Sequence, residues 1–224
     1  MREPSLEEGI SAAISWNLNN INTSMPGIIV RVLNDLSGMS VDVQPTLNMK
    51  WQDGTVVERP PILNVPLQFP CSTTSAFTFP VNPGDCVLLI FSQRGMDSWK
   101  SGNGYQTTPT DYRKFDGRDA VAIPGIYPPG RSINDPVKRR WNHNTRDTVV
   151  AHNIGTGNEV EIRLKEDGRV LINTDAGLEV NAPETIWNGN IVHTGVLSSN
   201  GVIVDSHTHT GVDTGPGVSG PPVK

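Results

Sequence analysis

From Met25 to about Pro128 the apolar positions come in short runs broken by turn residues, too short for helices. The stretches "GIIVRVL", "MSVDVQPTLNMKW" and "DCVLLIFS" are rich in β-branched and aromatic residues. Turn signals bound them at Ser37-Gly38, Asp53-Gly54 and Asn82-Pro83-Gly84-Asp85. "CVLLIF" is apolar at both parities, as expected of a strand at the centre of a small closed barrel. Roughly five such strands predict a Greek-key barrel of the OB type over residues 25–128. A polar insertion, "SGNGYQTTPTDYRKFDG", precedes its last short strand, "DAVAIPG". Helical spacing occurs convincingly only in "SLEEGISAAISWNLN", residues 5–19. There Ser5 and Glu8 have the spacing of a capping box, and Ile10, Ala13 and Ile14 share a face. The N-terminal segment, 1–24, is therefore a short helix that needs a domain or a partner to pack on.

Beyond Thr148 the texture changes. "NEVEIRLKEDG" alternates Val160, Ile162 and Leu164 with Glu159, Glu161 and Arg163, which predicts a strand with its apolar side buried. Glycines 168, 177, 189, 195 and 201 punctuate the chain beyond this strand at intervals of six to twelve residues. Short strands at near-regular spacing predict a stacked, solenoid-like β rod over 148–205, reached through a Pro/Asn-rich linker, 129–147. A rod of this length in one chain leaves open edges and little core, so several identical chains are expected to wrap together. The C-terminal half reads as an obligate oligomer.

Charge and composition narrow the function. The net charge is -5, with 22 glycines, 18 prolines and 6% aromatic residues. Between residues 25 and 100 five basic residues (Arg31, Lys50, Arg59, Arg94, Lys100) face six acidic ones (Asp35, Asp42, Asp53, Glu58, Asp85, Asp97). A groove that tracks phosphates needs a basic excess and stacking aromatics, so no nucleic-acid partner is expected. Lys138-Arg139-Arg140 reads as a solvated or partner-facing patch. No run of 18 apolar residues is present to span a membrane. "MREPSLEEGI" lacks the apolar core of a secretory signal. Cys71 and Cys86 are too few for a disulfide framework and are expected to be buried free thiols.

The chemistry is concentrated near the C-terminus, in "VDSHTHTGVDTGPGVSGPPVK". On an extended chain His207 and His209 share one face. One chain cannot complete a metal site with them, because the other histidines, His143, His152 and His193, lie far upstream. His193, alternating with Val192, reads as an ordinary strand residue. Three chains around a threefold axis would bring six imidazoles to one point. Six nitrogens favour divalent iron over zinc, which prefers four ligands. Filled by protein alone, the site would be structural, and metal binding would add to assembly. A surface His pair with no metal role is the plain alternative. A zinc hydrolase assisted by Asp205 or Asp213 would need further ligands, and after His209 only Asp213 carries a carboxylate side chain.

The layout resembles the membrane-piercing central spike proteins of contractile-tailed bacteriophage baseplates. The resemblance covers nearly the whole chain. It rests most on "SHTHTGVDTGPGVSGPP" and more weakly on "RDAVAIPGIYP". It implies an all-β fold: a short helix and OB-like barrel, then a trimeric intertwined β-helical rod with a metal-capped apex at 206–224. It implies that His207 and His209 are iron ligands, with one Fe(II) per trimer, and that Gly211, Gly215, Gly217 and Gly220 make tight apex turns. The implied protein is a non-enzymatic homotrimer of the virion. It docks on the baseplate hub through its N-terminal region and crosses the host outer membrane transiently. The absence of Lys and Arg between Arg169 and Lys224 is expected to limit adhesion to anionic lipopolysaccharide. A receptor-binding tail fibre or adhesin is the alternative from another class. It would expect an aromatic-rich C-terminal head, whereas no aromatic follows Trp187. A secretion-system spike would share the same mechanics.

Overall fold

The computed structural model describes residues 5–35, 38–51, 53–204, 206 and 215. The chain divides into two compact units, Met1–Asn173 and Thr174–Lys224. The boundary falls inside the stretch expected to form the rod.

Helix α1 spans Leu6–Asn19 and begins as its sequence dictates. The Glu8 N–H donates to Ser5 Oγ at 3.2 Å, and the Ser5 N–H donates to Glu8 Oε2 at 2.7 Å, a complete capping box. Glu7 and Glu8 also place negative charge at the positive end of the helix dipole. None of its residues is buried, and Leu6, Ile10 and Ile14 form an exposed stripe at four-residue spacing.

Seven short strands come next: β1 (Ser24–Asp35), β2 (Gly38–Pro45), β3 (Met49–Lys50), β4 (Val56–Val57), β5 (Ile62–Pro66), β6 (Cys86–Phe91) and β7 (Ala120–Pro124). Five of them form an antiparallel sheet in the order β5-β2-β1-β6-β7, while β3 and β4 pair as a small separate hairpin. The large sheet curls into a half-barrel. Register shifts between Ile29 and Arg31 and between Val41 and Val43 supply local bending. At the second shift the buried Asp42 carboxylate accepts the N–H of Asn64 at 2.9 Å, and Asn64 has a positive φ of 51°. The curl brings the two edges together, where Leu67 bridges Ala122 and the Gln68 N–H donates to the Ala122 carbonyl at 2.9 Å.

Alternate residues fill the concave side: Ile29, Val41, Val43, Val65, Val87, Leu89, Phe91, Ala120 and Ala122 belong to one buried cluster. Gly27 is needed on β1 because a Cβ there would overlap Val43 Cγ1 and approach the Gln44 carbonyl oxygen to 3.3 Å. In β6 only one parity, Val87, Leu89 and Phe91, joins the core, and Ile90 is 41% exposed. The expectation of burial at both parities is thus corrected, because β6 has the core on one side only. Both cysteines are free thiols, but Cys71 is exposed and only Cys86 is buried.

The insertion between β6 and β7 carries helix α2 (Asp97–Ser101) and is fastened by Arg113. Its guanidinium pairs with Asp97, with Asp111 at 3.1 Å and with the buried Asp119 at 2.8 Å. Asp119 also accepts the Met96 N–H at 2.8 Å, so one carboxylate holds both ends of the loop.

A second sheet comprises β8 (Thr148–His152), β9 (Val160–Leu164) and β10 (Val170–Thr174), in the order β10-β9-β8. Further on, β11 (Ser198–Ser199) and β12 (Val202–Ile203) form a hairpin around Asn200-Gly201. Their φ values of 49° and 80° are those a two-residue primed turn demands, and Asn-Gly supplies them without strain.

Candidate functional site

His207 and His209 lie outside the described residues, as do Gly211, Gly217 and Gly220. Gly215 is described, and a Cβ there would meet open space. His152 and His193 are exposed, and His143 is half-buried with its Nδ1 lacking a hydrogen-bond partner. Among the described residues no group of three or more His, Cys, Asp or Glu is arranged to hold a metal. Among them, too, no helix is long and apolar enough to cross a membrane.

The feature that stands out is the second sheet, whose faces are covered in the opposite sense to that expected. Pairing of β8 with β9 is antiparallel, with Val150 opposite Ile162 and Ala151 opposite Glu161. Strand alternation therefore sorts Val150, Ile162 and Leu164 to one face and Glu161 and Arg163 to the other. The apolar face is the open one. Ile162 is 47% and Leu164 50% exposed, and Val150, Val170 and Ile172 are comparably open. Glu159 and Glu161, by contrast, are each only 1% exposed.

The cause lies in the segment before the sheet. Arg131, in a 3-10 turn at Pro129–Arg131, ties this segment to the turn before β6 of the curled sheet by donating to the Gly84 carbonyl at 3.0 Å. The chain then runs onto the polar face of the sheet, where Arg139 is buried. Its Nη2 donates to Glu161 Oε2 at 3.0 Å, and its Nε stands 3.3 Å from Glu159 Oε1. The Arg140 N–H donates to Glu159 Oε2, and Asn173 donates to Glu161 Oε1 at 2.9 Å. Arg163 pairs with Glu161 at 2.9 Å and with Asp147 at 3.5 Å. The expectation that Lys138-Arg139-Arg140 faces solvent or a partner is overturned for Arg139. One linker guanidinium has found two buried carboxylates, Glu159 and Glu161, the second of which it shares with Arg163.

Electrostatics decide how firmly this face is closed. Burial pushes the Glu161 carboxyl up, but hydrogen bonds from Arg163, Asn173 and Arg139 outweigh it and hold the group below its ordinary value. Some atoms remain poorly served: Arg139 Nε, Glu159 Oε1 and Arg163 Nε make no hydrogen bond. Buried ion pairs of this kind add less net stability than their distances imply, but they are costly to break singly.

Physically, the arrangement closes a charged face and turns an apolar face outward. Full burial of a Val, Leu or Ile side chain stabilises by about 1.5–3 kcal/mol, so covering five half-exposed ones would contribute about 1 kcal/mol each. Period-two patterning located the two faces, yet nothing in it says which face a distant linker will cover. The two carboxylates at 159 and 161 were the available signal, since an arginine-rich segment nearby offers them partners.

No curated protein matches the chain. Residues 25–125, which contain all of the curled sheet but Ser24, match the family model of the phage protein Gp138 N-terminal domain, so this part of the chain is similar to a phage protein domain.

Proposed function

We propose that the chain is a structural, non-enzymatic baseplate protein of a phage tail, forming the trimeric central spike that pierces the host outer membrane on contraction. The observation that carries this reading is an apolar sheet face left open immediately after a phage-type domain. A face of that kind needs a cover, and threefold self-association provides one without any other protein. In the proposal the curled sheet is an OB-type platform docked on the hub through α1 and its surroundings. The second sheet and the residues after it belong to a β-helical rod, and residues 206–224 form the tip.

Two imidazoles per chain, His207 and His209, make a donor set suited to one axial Fe(II) when three chains meet. When bound, the ion would supply a cross-link between chain ends. The mechanical logic favours strands over helices here. Ladder hydrogen bonds loaded together resist shear, and a cross-linked tip resists splaying.

Native mass spectrometry on untagged protein tests the reading. The expected species has three times 24.3 kDa, about 73 kDa, with a single iron. A monomer would overturn it. The fibre or adhesin reading would then stand in its place, with the apolar face assigned to a different partner.

A further inference from the structure

Helix α1 has a second face besides its apolar stripe. Glu8, Ser11, Ala12, Ser15 and Asn19 recur at three- and four-residue spacing and so lie along one side of the helix, with Trp16 at its flank. These residues line a cavity of about 860 Å3. The β3–β4 hairpin contributes Met49, Lys50, Trp51 and Asp53 to the same cavity. Ser11, Ala12 and Ser15 are small, and they leave open the space that longer side chains would fill. A second cavity, of about 680 Å3, shares Asn19, Asn20, Met49 and Arg59 with the first and continues it over Pro60, Pro61 and Ile62 toward Lys100 and Arg118. The two make one trough, each part of a size that holds a small ligand. Every residue of it belongs to the first compact unit.

The lining decides what class of ligand fits. Trp16 is 63% and Trp51 51% exposed, although both line a concave surface. An indole in that position offers a flat apolar face to a ligand ring and an N–H at its rim. Among the described residues, the side-chain amides of Asn19 and Asn48 and the Nη2 of Arg59 make no hydrogen bond. The rest of the Arg59 guanidinium is fixed where the cavities join: Nε donates to the Leu47 carbonyl and Nη1 to Asn22 Oδ1, each at 3.2 Å.

Over the whole trough four acidic side chains (Glu8, Asp53, Asp97, Asp116) balance four basic ones (Lys50, Arg59, Lys100, Arg118). A phosphate-bearing chain would find no excess of positive charge to hold it. A neutral ring carrying many hydroxyls fits better. Its C–H face stacks on indole, and its hydroxyls exchange hydrogen bonds with amides and a spare guanidinium nitrogen.

We propose that the trough between α1, the β3–β4 hairpin and Pro60-Pro61 binds a neutral oligosaccharide. Trp16 and Trp51 are its stacking platforms, and Asn19, Asn48 and Arg59 hydrogen-bond the hydroxyls. The site is complete within one chain, so it goes beyond the spike reading and does not depend on it.

Isothermal titration calorimetry of the full-length protein with tetramers of N-acetylglucosamine and of glucose tests the assignment. Saturable binding of one or both is expected; selectivity for the first would show that the acetamido group is recognised as well as the ring. Trp16→Ala and Trp51→Ala should each weaken binding about tenfold, as the loss of one stacked ring does. Trp16→Tyr and Trp51→Tyr should restore most of it, with circular dichroism checking the fold of each variant. Trp187→Ala, in the second compact unit, should leave the affinity unchanged. Failure of both sugars to bind, or undiminished affinity in the two alanine variants, overturns the proposal. A proline-rich peptide that binds where neither sugar does also overturns it and gives the trough to a polypeptide. The native mass is a separate readout, so the spike reading stands or falls apart from these results.

Discussion

Glu161 is fully buried between Arg139 and Arg163, and its carboxyl is held below its ordinary value of 4.5. That depression sets the sign of the linkage. A carboxyl that ionises more readily when folded contributes stability above pH 4.5 and loses it as the pH falls through its lower folded value. Acid should therefore loosen the segment that covers the polar face. Denaturant midpoints measured from pH 7 down to pH 3 should fall, and Glu161→Gln should lower the midpoint at pH 7 while flattening the acid slope. Parallel slopes in the two proteins would show that Glu161 is not the group responsible. Gln keeps the size of Glu but loses the charge that satisfies two guanidinium groups, so the loss at neutral pH should be about 3–5 kcal/mol, as for other broken buried pairs.

At the scale of elements, the sheet β8–β10 shows how one side chain pattern can serve two arrangements. Its apolar face is open because the preceding segment, anchored by Arg131 and closed by Arg139, occupies the other side. Placing a lysine at Ile162 puts a charge at the middle of the open face, opposite Val150. In a single chain this costs little, since the position is already half-exposed. In an assembly it buries an unpaired ammonium, at several kcal/mol. Ile162→Lys is expected to convert the proposed assembly to monomers by sedimentation while leaving the circular dichroism of the fold unchanged. An unaltered assembly would remove this face from the interface. Helix α1 is a similar case: its cap is complete, yet its apolar stripe of Leu6, Ile10 and Ile14 is at least half-exposed.

For the whole molecule, the proposed spike divides its cohesion between apolar surface along the length and metal at the tip. These contributions act at separate places and should be separable by mutation. Replacing both His207 and His209 with Ala is expected to abolish the iron, read by elemental analysis, while trimers persist in native mass spectrometry. Resistance to heat should fall, because three chain ends are no longer joined. Iron retained in the double variant would assign it to other ligands and withdraw the tip from the proposal.

The sequence by itself determined the local structure. Ser5 and Glu8 set the start of α1. Turn residues at 53–54 and 82–85 delimited strands, and Asn200-Gly201 encoded the turn between β11 and β12. Each of these depends on neighbours a few positions away, which a linear reading contains. The pair His207-x-His209 was legible as a motif, and in the proposed spike its partners come from other chains. Only the tertiary structure decided which face of β9 is covered, because alternation defines two faces and a contact with Arg139, twenty residues upstream of Glu159, selects between them. The same holds for the exposed Cys71 and the meeting of Leu67 with Ala122. Long-range contacts depend on how the chain returns on itself, and that return is a property of the folded whole.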